Sequence, residues 1–466
     1  MKGKMFGTDG VRGVANYDLT AGLALQLGRA LGFSLQERDE LDSPRQLDSP
    51  RQLDSPRQRA PGKPLVLVGK DPRLSSDMIE QAFCAGLLSS GARAGLLGII
   101  TTPALSILVK EYRAQAGVMI SASHNPIDDN GIKIFGPDGC KLSDPEESRI
   151  EQVFASQPVE GPRFPASYEI LSEGAEIYRA FLQRFAPPRI PPLRLVLDCA
   201  WGSTSLFAPE IFRQLGAEVE ALHAVPDGQR INVHCGATRP EVLKEAVKRR
   251  GADLGFTFDG DGDRLMAIDR TGRLVDGDVV LCAYGLQRLR KGALPGQVVV
   301  GTVMSNMGLE LALAKEGGKL LRAKVGDRYV LEKMVASGAV IGGEQSGHVI
   351  FGEISPAGDG ILTALMLLNL VVETGRDLSD LGCELVHVPQ VLLNVRAERK
   401  EFLEQDQPVQ EAIAEAEQRL AGRGRVLVRS SGTEKLVRVM VEAMDEGEAQ
   451  REARELASLI EDRLAG

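Results

Sequence analysis

The strongest constraint on the fold is a supersecondary pattern that recurs three times along the chain. Each copy has a β-rich run, a turn of small residues, an amphipathic stretch of about three helical turns, a glycine and a second apolar run, as in a βαβ unit. The copies begin at Pro64, Leu193 and Gln297. Their helix candidates end at glycines that suit the left-handed C′ position, Gly91, Gly216 and Gly317. The pattern predicts three α/β domains of similar build, spaced by roughly one domain length.

The pattern changes after about Leu378. Two strand-like runs, at residues 426–429 and 436–442, precede a charged helix candidate at residues 447–464, which predicts a smaller α+β domain. For a chain of 466 residues we therefore expect four domains, at residues 1–168, 169–275, 276–378 and 379–466.

One segment has low complexity. The hexapeptide Leu-Asp-Ser-Pro-Arg-Gln occurs three times without a break, at residues 41–58. Its prolines disfavour a helix, and the unit is too short for a solenoid repeat. We expect a surface insertion between the first helix and the strand at Leu65.

Charge and composition exclude several classes of protein. The 55 basic and 64 acidic residues give a net charge of −9, which disfavours a nucleic-acid or membrane-surface partner. No two of the six cysteines have the short spacing of a zinc site. The first residues do not read as a secretory signal, and no apolar run is long enough for a membrane span. We expect a cytoplasmic protein with reduced thiols.

The strongest chemical signal is the run Phe258-Asp-Gly-Asp-Gly-Asp-Arg264. Glycines let Asp259, Asp261 and Asp263 converge, and a divalent cation relieves the repulsion between the carboxylates. A solvated acidic turn is the alternative. An EF-hand is excluded, because Arg264 and Arg270 stand where its glycine and glutamate belong. Three monodentate ligands leave room for a phosphate oxygen, as is usual for magnesium.

A second signal is the run Met119-Ile-Ser-Ala-Ser-His-Asn-Pro126, in which Ser123 is the candidate nucleophile. The run follows a strand-like segment, and open α/β sheets bind ligands at the carboxyl ends of their strands. A plain β-turn is the alternative. The run has no Gly-x-Ser-x-Gly nucleophile elbow, and an adjacent Ser and His rarely form a hydrolase dyad.

Three further runs have polar compositions suited to sugar phosphates. Gly342-Gly-Glu-Gln-Ser-Gly-His348 alternates a carboxylate, a hydroxyl and an imidazole. Val428-Arg-Ser-Ser-Gly-Thr-Glu-Lys435, with Arg438, has the composition of a phosphate cradle, although a solvated hairpin is equally compatible. Near the amino terminus, Arg12 lies between glycines and could reach a phosphate.

Taken together and in their order along the chain, the five runs resemble the α-D-phosphohexomutase superfamily over nearly the whole chain. Gly7-Thr-Asp-Gly-Val-Arg-Gly13, Val303-Met-Ser-Asn-Met-Gly-Leu-Glu310 and Lys324-Val-Gly-Asp-Arg-Tyr-Val330 resemble its amino-sugar branch more than its glucose or mannose branch. The resemblance implies four domains around a central cleft, three of them α/β domains with mixed sheets. Similar mutases are often homodimers built through the first domain.

The resemblance also implies roles for individual residues. Ser123 matches the phosphoserine that exchanges its phosphoryl group with the substrate, and its phosphate joins Asp259, Asp261 and Asp263 around Mg²⁺. The softer catalytic matches are His124, Lys133 and Arg12. The implied substrate-binding residues are Arg264, Glu344, Ser346, His348, Arg429, Ser430, Ser431, Gly432, Thr433 and Arg438.

The expected reaction interconverts glucosamine 6-phosphate and glucosamine 1-phosphate through a 1,6-bisphosphate, which supplies UDP-N-acetylglucosamine and cell-wall precursors. Phosphorylated Ser123 beside three carboxylates would carry a total charge of roughly −5, which requires a cation and nearby basic groups. The alternatives are a glucose or mannose phosphate mutase, a metal-dependent sugar phosphatase, and a sugar-phosphate sensor without catalysis.

Overall fold

The computed structural model describes residues 5–7, 9–42, 63–156, 165–431 and 435–465. Of the repeats at residues 41–58, the first two residues end a helix, and residues 43–58 lie outside the described residues. Within the described ranges there are four β-sheets, and no helix is long and apolar enough to cross a membrane.

The first sheet has six strands in the spatial order β1-β5-β4-β2-β3-β6. Its region comprises β1 (Val11–Val14), α1 (Ala21–Asp42), β2 (Leu65–Lys70), α2 (Ser76–Ser89), β3 (Arg93–Ile99), α3 (Thr102–Glu111), β4 (Ala116–Ile120), β5 (Asp129–Phe135), α4 (Asp144–Ser156) and β6 (Tyr168–Ile170). Strands β4, β2, β3 and β6 are parallel, whereas β5 runs antiparallel to β4 and β1. Strand β6 lies across the expected boundary at residue 168.

The second sheet has the order β11-β10-β9-β7-β8. Its region comprises α5 (Gly174–Gln183), β7 (Arg194–Asp198), α6 (Ala208–Gln214), β8 (Glu218–Leu222), α7 (Pro240–Arg250), β9 (Leu254–Phe258), β10 (Leu265–Asp269) and β11 (Leu274–Val275). Strand β7 pairs in parallel with β8 and β9, and the antiparallel strand β10 follows β9.

The third sheet has the order β13-β12-β14-β15. Its region comprises α8 (Gly277–Arg290), β12 (Val298–Thr302), α9 (Met307–Lys315), β13 (Lys319–Ala323), α10 (Asp327–Ser337), β14 (Ile341–Gly343), β15 (Val349–Phe351), α11 (Gly360–Thr374) and α12 (Leu378–Gly382). Again β12 pairs in parallel with its neighbours β13 and β14, and β15 runs antiparallel to β14.

The fourth sheet has three antiparallel strands in the order β16-β18-β17. Its region comprises β16 (Gln390–Arg396), α13 (Gln407–Leu420), β17 (Gly424–Ser430), β18 (Leu436–Ala443) and α14 (Glu446–Leu464). Helices α13 and α14 bury their apolar faces in a core of this region's own, which includes Val409, Leu420, Leu456 and Ile460.

The predicted fold class is confirmed: three α/β regions with mixed sheets are followed by a smaller α+β region. The three expected βαβ units are β2-α2-β3, β7-α6-β8 and β12-α9-β13. The glycines after their helices have φ of 95°, 92° and 81°, a conformation that costs glycine little because it has no Cβ. Apolar runs form the strands because both faces of such sheets are covered.

The largest apolar core runs through all three α/β regions. It joins Leu105 of α3 and Tyr178 of α5 to Phe256 of β9, Leu281 of α8 and Leu365 of α11. A second core fills the other face of the first sheet, beneath α1 and α2. The continuous core places the carboxyl ends of the three sheets next to one another.

Candidate active site

The site is built from one topological position used three times. In each of the first three sheets, a parallel strand connects through a short loop to the antiparallel strand that pairs with it, and this loop carries a predicted motif. The Ser loop (residues 121–128) joins β4 to β5, the Asp loop (residues 259–264) joins β9 to β10, and the Glu loop (residues 344–348) joins β14 to β15. The structure therefore brings together motifs that lie more than 200 residues apart.

The Asp loop lies at the centre, because all three α/β regions bind its backbone. The carbonyl of Asp261 accepts from Thr102 N at 2.9 Å, and that of Gly260 accepts from Ser203 N at 2.9 Å. The carbonyl of Gly262 accepts from Gly360 N at 3.0 Å. These bonds to the first, second and third regions fix the loop, so the carboxylates cannot move apart to relieve their repulsion.

Ser123 lies against this loop in a conformation that is unusual for serine. Its φ is 52°, in the left-handed region, which costs a non-glycine residue about 1–2 kcal/mol. The side chain is buried, and its Oγ donates to Asp259 Oδ2 at 2.5 Å. The Nδ1 atom of His124 lies 3.2 Å from the same Oγ. Strain of this kind is found at functional sites, where the surrounding structure maintains it.

The three aspartates fit a divalent cation. Their ligand oxygens lie within 4.8 Å of one another and are buried. Among the described residues, Asp261 Oδ1 and Asp263 Oδ1 have no hydrogen-bond partner, although a buried oxygen without one is costly. Burial, together with Asp263 and Asp261, raises the pKa of Asp259 well above its usual range. A hard cation would satisfy the free oxygens and offset this repulsion.

Lys133, on β5, supplies positive charge beneath the Asp loop. Its Nζ lies 2.9 Å from Asp261 Oδ2, 3.5 Å from Asp9 Oδ2 and 3.9 Å from Asp263 Oδ2, and its side chain is buried. Burial opposes the charged form, but these carboxylates raise the pKa of Lys133 far above its usual value. The ammonium group therefore stays charged.

Asp9 connects this lysine to two other basic groups. Its carboxylate pairs with Arg12 and with Lys141, and Lys141 Nζ lies 2.7 Å from Asp327 Oδ2 in the third region. Burial would raise the pKa of Asp9, but Lys133, Lys141 and Arg12 hold it well below its usual range. The predicted residue Arg12 also donates to Asn125 Oδ1 of the Ser loop at 3.3 Å.

His124 and Arg264 lie on adjoining loops. Burial, followed by the positive charge of Arg264, lowers the pKa of His124 to about 4 despite nearby carboxylates. The imidazole is therefore neutral at pH 7. The backbone N of Arg264 donates to Asp259 Oδ1 at 3.2 Å, and its Nε lies 3.8 Å from Asp263 Oδ1.

The Glu loop places its three predicted residues differently. Glu344 Oε1 accepts from Gly326 N at 3.0 Å, and Glu344 and Ser346 are partly exposed. His348 is buried: its Nδ1 lies 3.6 Å from Asp263 Oδ2, and its Nε2 accepts from Gly358 N at 3.1 Å. Glu344 and Ser346 are thus accessible, whereas His348 is buried against Asp263 of the Asp loop.

The predicted phosphate-binding residues form a separate cluster in the fourth region. Arg429 and Arg438 are directly opposite each other on β17 and β18. Burial, followed by the charge of Arg438, lowers the pKa of Arg429. Two like charges in this register destabilise a sheet, and a bound anion would offset the repulsion. Ser430 is exposed and Ser431 is buried, while Gly432 and Thr433 lie outside the described residues.

Several residues of the site were not identified from the sequence. Asp9, Lys141 and Asp327 form the ion network, and Thr102 Oγ1 donates to Asp261 Oδ2 at 2.6 Å. Asp9 and Asp327 stand inside motifs singled out above, so position in those motifs was a usable signal. Thr102 and Lys141 carried no such signal, because their contacts depend on how the regions pack.

Three like α/β regions whose corresponding loops converge, followed by a smaller α+β region with paired arginines, define a phosphohexomutase architecture. Comparisons with known proteins agree. Models of the phosphoglucomutase/phosphomannomutase family match in chain order: alpha/beta/alpha domain I at residues 55–159, domain II at 178–272, domain III at 276–388 and the C-terminal domain at 392–459.

Two curated relatives are phosphoglucosamine mutases. The protein from Thermoanaerobacter pseudethanolicus is 45% identical over 468 residues, and that from Symbiobacterium thermophilum is 46% identical over 466 residues. Each alignment covers 99% of both chains. The chain belongs to the phosphoglucosamine mutase branch of the phosphohexomutase superfamily, and it is an enzyme of the isomerase class.

A solved structure shows the same fold. The phosphoglucomutase/phosphomannomutase family protein from Burkholderia thailandensis aligns with a TM-score of 0.81 and 24% sequence identity. The alignment covers 100% of this chain and 99% of that chain.

Proposed function

We propose that this enzyme interconverts glucosamine 6-phosphate and glucosamine 1-phosphate in the cytoplasm. Phosphorylated Ser123 transfers its phosphoryl group to O1 of the 6-phosphate, which gives the 1,6-bisphosphate. The bisphosphate turns over and returns its 6-phosphoryl group to Ser123. The observation that carries the proposal is the Ser123 hydroxyl, 2.5 Å from Asp259 where three regions meet. Its relatives carrying the name phosphoglucosamine mutase support the choice of substrate.

The Asp loop fits Mg²⁺, held by Asp259, Asp261 and Asp263 together with a phosphate oxygen on Ser123. When bound, the ion would supply Lewis-acid stabilisation of the charge on the transferring phosphoryl group.

The basic groups have distinct roles in the proposal. Lys133 stays protonated and offsets charge on the phosphoryl oxygens, so it is unsuited to accept a proton. His124 is neutral at pH 7, and its Nδ1 lies 3.2 Å from Ser123 Oγ, so it is the better acceptor for the Ser123 hydroxyl proton when the phosphoryl group returns. Arg12 and Arg264 lie at the edge of the Ser and Asp loops, where they can bind a substrate phosphate.

The remaining residues bind the far end of the substrate. Glu344 and Ser346 are partly exposed and can accept and donate hydrogen bonds to sugar hydroxyls. Arg429, Arg438 and the hydroxyls of the same hairpin bind the phosphate that is not being transferred. His348 positions Asp263 in this scheme, because its ring contacts that carboxylate from the buried side.

A coupled assay tests the proposal. One preparation is supplied with Mg²⁺ and a trace of sugar 1,6-bisphosphate, and kcat/KM is compared for the 6-phosphates of glucosamine, glucose and mannose. We expect a clear preference for the amino sugar. Equal or better use of glucose or mannose phosphate would contradict the substrate, and release of inorganic phosphate without isomerisation would indicate a phosphatase.

Metal binding is measured separately, without catalysis. Mg²⁺ should raise the melting temperature of the wild-type enzyme, because binding to the folded state alone stabilises it. Asp261→Asn should reduce this rise, because the variant lacks one of the buried carboxylates. An equal rise in both proteins would place the cation elsewhere.

A further inference from the structure

Arg73 uses its whole guanidinium group to hold the Ser loop. It follows β2, and its side chain is completely buried. Nη2 donates to the carbonyl oxygens of Ser123 at 3.0 Å and Asn125 at 2.8 Å. Nη1 donates to those of Asp129 at 2.9 Å and Pro126, and Nε donates to Asp71 Oδ2 at 3.0 Å. All five donors of the arginine are thereby used, four of them on the backbone of residues 123–129.

Asp71 adds a connection to the backbone N–H of Ser123, on the amino-terminal side of the residue. We call this pair, Asp71 and Arg73, the clamp. Its Oδ2 accepts from Ser121 Oγ at 2.7 Å, and Ser121 Oγ accepts from Ser123 N at 2.8 Å. The pair Asp71–Arg73 therefore controls both backbone polar groups of Ser123, the N–H through Ser121 and the carbonyl directly. This explains how Ser123 keeps a left-handed φ of 52° that its Cβ disfavours.

The second region adds one donor to the same carbonyl. Asn232 Nδ2 donates to the oxygen of Ser123 at 2.8 Å. The backbone of Gly228, from the same segment, forms a β-bridge with Arg73, and a Cβ on Gly228 would lie 2.2 Å from the carbonyl of Pro72. The carbonyl of Ser123 is thus held by donors from both the first and the second region.

We infer that Arg73 is a positioning residue for phosphoryl transfer, which keeps Ser123 Oγ against the Asp loop while the side chain changes from hydroxyl to phosphate. This inference rests on the proposed function. The phosphorylated and free forms of Ser123 differ by almost two charges, so the loop experiences a large change in force during each cycle. A rigid planar group bonded to four carbonyls resists that change, whereas a flexible lysine with one nitrogen cannot reach them all.

The experiment compares Arg73→Lys with the wild-type enzyme. We expect kcat for glucosamine 6-phosphate to fall about 10²-fold, as for a small misplacement of a reacting group, while KM stays within about twofold. Amide hydrogen exchange should accelerate in peptides covering residues 119–130 and stay unchanged elsewhere. Asn232→Gly tests the same carbonyl without burying a new group, because glycine tolerates the φ of 60° found there. It should lower kcat by a smaller factor at unchanged KM.

Leu27→Ala is the matched control, because it removes a buried side chain of α1 from an apolar core that includes no residue of the Ser loop. It should lower the melting temperature while leaving kcat and exchange at residues 119–130 unchanged. Wild-type kcat in both Arg73→Lys and Asn232→Gly would overturn the positioning role. So would a loss of kcat no larger than the unfolded fraction explains. If Arg73→Lys does not fold, Asn232→Gly alone decides. A wild-type enzyme that is inactive as a mutase would instead contradict the proposed function.

Discussion

Two aspartates of the Asp loop have pKa values shifted in opposite directions, because different groups surround each of them. Asp263 faces Lys133 and His348, and although burial opposes ionisation, these groups hold its pKa well below the usual range. Asp259 faces the neutral hydroxyl of Ser123, and burial with the charge of Asp263 raises its pKa. The Asp-Gly-Asp-Gly-Asp pattern predicted the cluster, but it could not predict this asymmetry, because the neighbouring groups come from other parts of the chain.

Ser123→Ala should reduce mutase activity by at least about 10³-fold, because it removes the only group proposed to carry the phosphoryl. The melting temperature should change little, since alanine keeps the buried Cβ atom. The coupled assay measures activity, and the control is Ser106→Ala, which removes another buried hydroxyl of the same region. Near wild-type turnover in Ser123→Ala would contradict the phosphoserine mechanism.

Asp278, which lies outside the candidate site, should make the stability of the fold depend on pH. Burial, followed by the charge of Asp276, raises the pKa of Asp278 to about 7 from its usual 3.8. Between these values the folded chain binds a proton that the unfolded chain does not, so its stability falls as pH rises through this window. Asp278→Asn removes this dependence. Its melting temperature relative to wild type should therefore increase by several degrees from pH 5 to pH 8.

The control for this titration is Asp380→Asn, an exposed carboxylate on α12. Its difference in melting temperature from wild type should be the same at pH 5 and pH 8. A constant difference for Asp278→Asn as well would show that Asp278 ionises normally in the folded chain.

Among the secondary-structure elements, each α/β region places its predicted motif between a parallel strand and the antiparallel strand that follows it and pairs with it. The apolar run before each motif predicted that the motif follows a strand. The shared topological position became clear only from the sheet order, because strand neighbours such as β4 and β2 are far apart in the sequence. The predicted βαβ units were found, and each helix ends two residues before the glycine expected to follow it.

The packing of α1 on α2 depends on two glycines. A Cβ on Gly86 would lie 1.8 Å from the carbonyl oxygen of Leu25, and one on Gly28 would lie 2.1 Å from that of Phe83. Backbone atoms cannot yield, so Gly86→Ala should push the helices apart and lower the free energy of unfolding by about 1–3 kcal/mol. Urea denaturation measures this loss.

Gly22→Ala on α1 is the matched control, because the nearest atom to its new Cβ is 3.8 Å away. Its effect should be neutral or stabilising by up to about 1 kcal/mol, since alanine has the higher helix propensity. Equal stability of the Gly86 and Gly22 variants would contradict the close contact of the helices.

For the whole molecule, two kinds of junction connect the regions. The α/β regions share one continuous apolar core. The fourth region has its own core, and polar contacts connect it to the third. The buried carboxylate of Glu442 accepts hydrogen bonds from Met307 N at 3.1 Å and from Gln390 Nε2 at 3.0 Å. It also forms an ion pair with Arg425. The guanidinium of Arg425 donates to the carbonyl oxygens of Val303 and Ser305, each at 2.8 Å. The groups proposed to transfer the phosphoryl thus lie in one apolar-packed body, and the paired arginines lie in a region that hydrogen bonds to backbone groups join to it.

Glu442→Gln should loosen this junction, because it removes the carboxylate that pairs with the partly buried Arg425. KM for the sugar phosphate should rise about tenfold with a smaller change in kcat, since the proposed function assigns the fourth region to substrate binding and not to the transfer. Steady-state kinetics measures both. Glu452→Gln is the control, because it breaks an ion pair with Arg419 inside the fourth region. A similar rise in KM for both variants would contradict a specific contribution of this junction to substrate binding.

The three repeated units, the smaller fourth region, the acidic loop and the serine loop could each be predicted from short stretches of the sequence. These depend on hydrophobic period, on glycine's backbone freedom and on residue types close together in the chain. Which of these groups meet follows from the packing of the folded regions. The 2.5 Å contact between Ser123 and Asp259, the four bonds of Arg73 to backbone carbonyls and the bridge from Lys141 to Asp327 join residues that are distant in the chain. Local period carries no information about such contacts, because they arise when separate sheets share one core and bring their loops to a common centre.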